Sequence, residues 1–255
     1  MPFIVFEGGE GVGKSTQLNL LAKTLSDRGA EVVTTREPGG TPFAEGLRAL
    51  FKDNSLCHDE PTPWTELLVV AAARAQHLER LIRPLRSGGE PSLMPAGGGL
   101  LGHSGDRAQG PQPWILCDRF LDSALVYQGV RGALGPEAVL TLHRLFMSAA
   151  DVPDATLILD CDAAAAQARV HKRVAPPPGP AQAGGVPPGD PSRQDRLDGM
   201  SADLHVLLRQ GFLGLARTQS PYPCGTRPRR HVIDAAGRPD EVAARIQGAL
   251  GDLFP

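Results

Sequence analysis

Apolar positions along this chain fall in short continuous runs that alternate with longer stretches of helical spacing. Phe3 to Glu7 is an apolar run that stops at glycines, the pattern of a buried parallel strand. Beyond it Leu18, Leu21, Ala22 and Leu25 recur at helical spacing, with Gly29 as a C-terminal stop. Glu31 to Thr35 is β-branched and reads as a second strand, and Trp64 to Arg86 carries a long helical pattern through Leu67, Leu68, Ala71, Leu78, Leu81 and Leu85. Trp114 to Cys117 is a third strand, ending at Asp118-Arg119. Pro136 opens a helix at its first position, with Val139, Leu140 and Leu145 apolar. Thr156 to Leu159 is a fourth strand, followed by helices over about Asp162 to Arg173 and Ser201 to Arg217. His231 to Ile233 is the last strand, and Pro239 starts a terminal helix through Val242, Ile246, Leu250 and Leu253.

Strands alternating with helices predict an α/β fold, a three-layer α/β/α arrangement with a parallel, five-stranded sheet and helices on both faces. Residues 1–255 read as a single domain. Ligands of such sheets lie at the carboxyl ends of the strands. The polar motifs of this chain fall there.

Composition adds three features to this picture. A chain of 255 residues that is 41% hydrophobic supports one sizeable core. Its 30 Gly and 24 Pro concentrate in Ser87 to Pro113, Pro176 to Pro191 and Ser220 to Pro228, which lack apolar periodicity and read as mobile surface insertions. The net charge of −2, without a long basic run, argues against a nucleic-acid polymer or an anionic membrane as partner. The opening apolar run is too short for a signal peptide and no stretch approaches a membrane span, so a soluble, cytoplasmic protein is expected. Cys57, Cys117, Cys161 and Cys224 are scattered without a C-x-x-C pair, which reads as reduced thiols rather than a zinc site or a disulfide framework.

The chemistry begins at Gly8-Gly9-Glu10-Gly11-Val12-Gly13-Lys14-Ser15, which fits G-x-x-x-x-G-K-[ST] between a strand and a helix. Glycines let successive N–H groups point at phosphate oxygens, and the helix N-terminus adds its positive end. Lys14 places a point charge on the β- and γ-phosphates of ATP, and the Ser15 hydroxyl is a ligand for Mg²⁺; Thr16 follows on the same helix. Asp234 to Gly237 fits D-x-x-G but lies after the last strand, and no N-K-x-D occurs, which argues against a GTPase.

Further segments are Thr35 to Thr41 (TREPGGT), Ala72 to His77 (AARAQH), Asp118-Arg119-Phe120, Ser123 to Gly129 (SALVYQG) and Asp195 to Asp198 (DRLD). With Phe6 to Gln17 they resemble, in order, the motifs of the thymidylate kinase family, bacterial type. The resemblance implies ATP-dependent phosphorylation of dTMP to dTDP by direct in-line transfer, with Mg²⁺, in a homodimer packed through helices including Trp64 to Arg86. It implies that Arg74 and Arg119 hold the acceptor phosphate with Arg36 nearby, and that Glu10 approaches the 3′-hydroxyl of the acceptor sugar. Tyr127 would lie under the deoxyribose, with Ser123 and Gln128 beside it.

Residue chemistry agrees with several of these roles. Guanidinium forks suit a phosphate monoester, and Asp118 at a strand end suits Mg²⁺ or its water. The alternatives are surface salt bridges for the arginines and Asp118, a solvent-facing Glu10, and an ordinary core aromatic at Tyr127. A lid is expected over about 169–199, where Arg169, Lys172, Arg173, Arg193 and Arg196 would close on the transferred phosphoryl and exclude water, with Arg173 and Arg196 catalytic beside Lys14 and Arg119. The alternative for Lys172 and Arg173 is a solvated basic helix end.

Two positions depart from the family pattern. Val70 stands where the family has a Phe that stacks on thymine, a loss worth roughly 1–3 kcal/mol by general stacking magnitudes. Ala124 stands where many members carry a hydroxyl. Both loosen the grip on the base, so a kinase for another pyrimidine nucleotide, or a weakly active nucleotide-binding paralogue, stands as the alternative.

Overall fold

The computed structural model describes residues 1–52, 59–89, 91, 100–101, 113–174 and 202–254. Its centre is β1 (Phe3–Glu7), buried at every position and flanked by two parallel strands, β4 (Trp114–Asp118) and β5 (Ala155–Asp160). Continuous apolar character follows from this place, because both faces of a central strand are covered. Ile4 and Phe6 pack with Leu18, Leu21 and Leu25 of α1 (Lys14–Asp27) and Val242, Ile246 and Leu250 of α9 (Pro239–Leu250). Phe3 and Val5 face the other way, onto Leu67, Leu78, Leu81 and Leu85.

The outer strands are β2 (Val32–Arg36), parallel to β4, and β6 (Arg230–Asp234), parallel to β5. Five parallel strands between two helical layers are the architecture expected from the sequence. A sixth, β3 (Leu100–Leu101), adds two antiparallel residues at the edge of β2, giving the order β3-β2-β4-β1-β5-β6. It lies inside the segment 87–113, where no strand was expected. The chain runs from β1 outward to β2, returns to β4 and then crosses to β5, so the connections after β1 and β4 lead to opposite sides, and such a switch point is where α/β sheets bind ligands.

Several element readings need correction. The segment after β2 forms α2 (Pro42–Lys52), whose start is fixed by Pro42 at the first position and by Thr41, whose hydroxyl accepts the Ala44 N–H at 3.3 Å. The long helix over 64–86 is three pieces: α3 (Pro63–His77), a π-helical turn (Leu78–Ile82) and α4 (Arg83–Arg86). The helix α6 (Pro136–His143) ends before Leu145, which is 81% exposed rather than part of its apolar face. The segment 220–228 is packed, not a loose insertion. Tyr222 is buried in the core, its N–H reaches Thr226 O at 2.8 Å, and Arg230 holds the Ser220 carbonyl at 2.7 Å. The segment 176–191 and most of 87–113 lie outside the described residues. Among the described residues no helix is long and apolar enough to cross a membrane.

Candidate active site

The β1–α1 loop turns through left-handed backbone at Gly11 (φ 76) and Gly13 (φ 98). At Gly11 a Cβ would run into the Ala166 carbonyl oxygen on α7 (Ala163–Val174), so glycine is required by both conformation and space. Lys14, buried at the start of α1, folds back and donates to Gly8 O at 3.1 Å and Gly9 O at 2.6 Å. Burial and the nearby Arg119 charge lower its pKa.

Ser15 Oγ donates to Asp118 Oδ2 at 2.8 Å, joining the loop to the end of β4. The second oxygen, Asp118 Oδ1, is buried without a hydrogen-bond partner among the described groups. A buried acceptor oxygen beside a serine hydroxyl is the donor set of a hard cation such as Mg²⁺.

Arg119 follows at φ 75, a backbone region that a bulky residue seldom adopts. This turn sends its side chain back toward the phosphate loop. There Nη2 donates to Glu10 Oε1 at 2.6 Å, and Nη1 donates to Gly8 O at 3.2 Å and Ser123 Oγ at 3.1 Å. The guanidinium lies 5.1 Å from the centroid of Tyr127. Burial opposes its charge, but Glu10, Tyr127 and Asp118 outweigh that, and its pKa is raised. Glu10 therefore faces Arg119 rather than solvent.

Arg36, at the end of β2, donates from Nε to Glu45 Oε1 at 3.1 Å and from Nη2 to Glu45 Oε2 at 2.8 Å, so both carboxylate oxygens of this α2 residue hold it. Arg48, one turn further on, donates to Pro38 O at 2.8 Å. These arginines, with Arg119 and Arg169 of α7, line a cavity of about 400 Å³ together with Glu10, Lys14, Ser15, Thr16 and Asp118. That size is in the range of small-molecule sites. Four cationic forks around one cavity suit a polyanion.

A second, narrower cavity of about 40 Å³ opens beside it, lined by Val70, Arg74, Arg119, Phe120, Ser123, Ala124, Tyr127 and Gln128. Its inner wall is α5 (Leu121–Ala124) and the π-helical turn Leu125–Arg131, which carries Tyr127 and Gln128. π-Helical turns recur at functional sites because the extra residue re-aims side chains.

Arg74 sits at the centre of a buried network. It is 1% exposed, and its three nitrogens are engaged: Nε with Glu37 Oε2 at 2.7 Å, Nη2 with Phe120 O at 2.8 Å, and Nη1 with His143 Nε2 at 2.6 Å. His143 Nδ1 donates to Val139 O at 2.7 Å, so its Nε2 is the acceptor of a neutral ring. Burial and Arg74 push the His143 pKa down to about 3, in keeping with that tautomer. Arg74 thus braces the wall of the narrow cavity that it also lines.

The lid positions are only partly covered. Lys172 and Arg173 lie on the last turn of α7, and Arg193 and Arg196 fall outside the described residues. Residues the motifs left unassigned are Glu7, Glu37, Glu45, Arg48 and His143. Glu37 is the E of R-E-P-G-G-T, and Glu45 and Arg48 share one face of α2 at i, i+3 spacing; those signals were present. Glu7 stands inside the Phe6 to Gln17 motif, so its signal was present too; His143 carries none, because a helical histidine looks ordinary until its partners are known.

The sequence model of the thymidylate kinase family matches residues 6–91 and 107–175. A thymidylate kinase of Rhizorhabdus wittichii is 38% identical over 256 residues, spanning 99% of this chain and 98% of its own length. One of Symbiobacterium thermophilum is 34% identical over 254 residues, spanning 99% of this chain and 94% of its own. The crystal structure of thymidylate kinase from Ehrlichia chaffeensis superposes with a TM-score of 0.60 at 25% identity, covering 98% of this chain and 97% of that one.

Proposed function

The chain belongs to the thymidylate kinase family, and from that premise we propose that it transfers the γ-phosphate of ATP to dTMP, giving dTDP. The observation that carries this reading is the convergence of the phosphate loop and the arginines at 36, 48, 119 and 169 on one cavity, with an apolar slot at its acceptor side.

Transfer between two phosphates brings like charges together, so positioning and neutralisation supply most of the catalysis. Loop N–H groups and Lys14 hold the β- and γ-phosphates; Lys14 leaves the Gly8 and Gly9 carbonyls to do so. Arg119 reaches the region between donor and acceptor, and its fork takes the acceptor phosphate with Arg36 close by. Glu10 keeps the Arg119 fork oriented and, in this reading, approaches the 3′-hydroxyl of the acceptor sugar. Tyr127, Ser123, Gln128 and Val70 form the nucleoside wall. The acceptor oxygen is already anionic, so no protein base removes a proton. Arg173 and Arg196 act as lid cations in this reading.

Ser15 and Asp118 fit Mg²⁺, since one carboxylate oxygen is orphaned beside the serine hydroxyl. When bound, the ion neutralises charge on the β- and γ-phosphate oxygens.

We further propose a homodimer, supported by Phe43 on α2 and Trp64 and Leu68 on α3, which are 64%, 54% and 52% exposed. A cytoplasmic setting accords with Cys117, Cys161 and Cys224 as free thiols. An ADP-release assay over a panel of nucleoside monophosphates tests the acceptor. Turnover highest with dTMP is expected; turnover with another monophosphate and none with dTMP overturns the assignment.

A further inference from the structure

Glu7, the last residue of β1, is fully buried, and every hydrogen bond its side chain makes among the described residues goes to one short segment. Oε1 accepts the Phe120 N–H at 2.8 Å and the Ser123 N–H at 3.0 Å, and Oε2 accepts the Ser123 hydroxyl at 2.6 Å. These partners follow directly on Arg119. On the other side of the turn, the Arg119 N–H donates to Phe6 O at 2.9 Å. Two consecutive residues of β1 thus clamp a backbone turn whose φ of 75 persists only where its surroundings over-determine it.

Ser123 carries the link onward to the functional head group. Its single hydroxyl proton goes to Glu7, which leaves the oxygen lone pairs for the Arg119 Nη1 donor at 3.1 Å. A carboxylate suits this task and an amide does not. With glutamine at residue 7, the amide nitrogen must donate to Ser123, and the serine proton is turned out toward the guanidinium.

We propose that Glu7 is a positioning residue for the acceptor side: its carboxylate holds the turn at 119–123 and orients Ser123 so that the Arg119 fork faces the phosphate loop. The assignment rests on the phosphotransferase reading above. Burial of Glu7 beside Asp122 opposes its charge and raises its pKa to about 7, while Arg119 and the three hydrogen bonds favour the charge.

The test compares Glu7→Gln, Ser123→Ala and the double variant in steady-state kinetics with dTMP and ATP varied separately. Loss of a hydrogen bond to a charged group corresponds to a rise in dTMP KM of about tenfold in Glu7→Gln, with ATP KM within about twofold of wild type. Ser123→Ala shifts dTMP KM in the same direction, and the double variant is no worse than Glu7→Gln alone. An unchanged dTMP KM, or an equal rise for both substrates, overturns the assignment. If Glu7→Gln does not fold, the same split in Glu7→Asp, which keeps the charge but shortens its reach to Phe120 and Ser123, decides it. Wild-type turnover is the control that separates the two claims. Without turnover of any nucleoside monophosphate the kinase reading falls and this assignment with it; wild-type turnover of dTMP with an unchanged KM in the variants overturns the Glu7 assignment alone.

Discussion

Arg119 and Glu10 face each other across the mouth of the phosphate loop, Nη2 to Oε1 at 2.6 Å, with both side chains about one-seventh exposed (14% and 15%). The pair joins the end of β4 to the β1–α1 loop. A carboxylate within a phosphate loop is tolerable here because its charge is matched by this guanidinium.

Arg119→Lys therefore keeps the charge and loses the fork. One ammonium cannot serve Glu10, Gly8 and Ser123 in those directions. The expected outcome is a fall in kcat/KM for dTMP of roughly a hundredfold or more. A coupled assay reads it directly, and a fall under threefold would show that the planar fork is dispensable.

Arg74→Met should act on stability first. It leaves Glu37 buried without its guanidinium partner and strands the Phe120 carbonyl and His143 Nε2. Breaking a buried pair from one side costs roughly 3–5 kcal/mol. Urea unfolding monitored by circular dichroism measures this, and a loss below about 1 kcal/mol would mean that the buried network relaxes around the gap.

The pH dependence of stability follows from Glu7. Its pKa is about 7 in the folded chain against an ordinary 4.5. Between these values the folded chain retains a proton that the unfolded chain has released. Glu7 therefore makes stability fall as pH rises from about 4.5 to about 7, after which its contribution levels off. In Glu7→Gln this component disappears. Urea midpoints across that range for both proteins provide the comparison, and identical slopes would contradict the prediction.

Asp118→Asn removes the negative oxygen that the Ser15 hydroxyl and the orphaned Oδ1 identify as a cation site. The Mg²⁺ concentration for half-maximal turnover should rise by at least tenfold, the scale of one lost charge-assisted contact. Titrating Mg²⁺ at saturating ATP reads the shift, and an unchanged midpoint would remove Asp118 from the site.

The strands of this fold were legible in the sequence because both faces of β1, β4 and β5 are covered, which forces unbroken apolar runs. The phosphate loop was legible because close backbone approach admits only glycine at Gly11. Helix α2 was missed although Thr41-Pro42 marks its start, since its short apolar pattern follows directly on a glycine turn. The motif marks Arg74 itself, whereas the buried network that holds it depends on Glu37 and His143, 37 residues before it and 69 after it. Tyr222 was hidden in a Pro/Gly-rich stretch whose composition is that of a loose loop, while a single aromatic anchors it in the core. Composition reports the average of a segment, and one buried ring overrides it.

The ion pair between Arg230 and Asp122 has a consequence for the order in which the site comes into being. Arg230 grips Asp122 through two hydrogen bonds, at 2.7 and 2.8 Å, and both side chains are wholly buried. Asp122 lies in the segment that Glu7 clamps, whereas Arg230 begins β6, which is synthesised after every other described strand of the sheet. A nascent chain extending only to α8 (Ala202–Thr218) has every other described residue of the acceptor wall, yet leaves Asp122 without its counter-charge beside the Glu7 carboxylate. Growing chains deliver their elements from the N-terminus onward. The acceptor corner, laid out by the first strand, thus reaches its working arrangement only when the last one docks, so incomplete chains carry a phosphate loop without a finished partner for it.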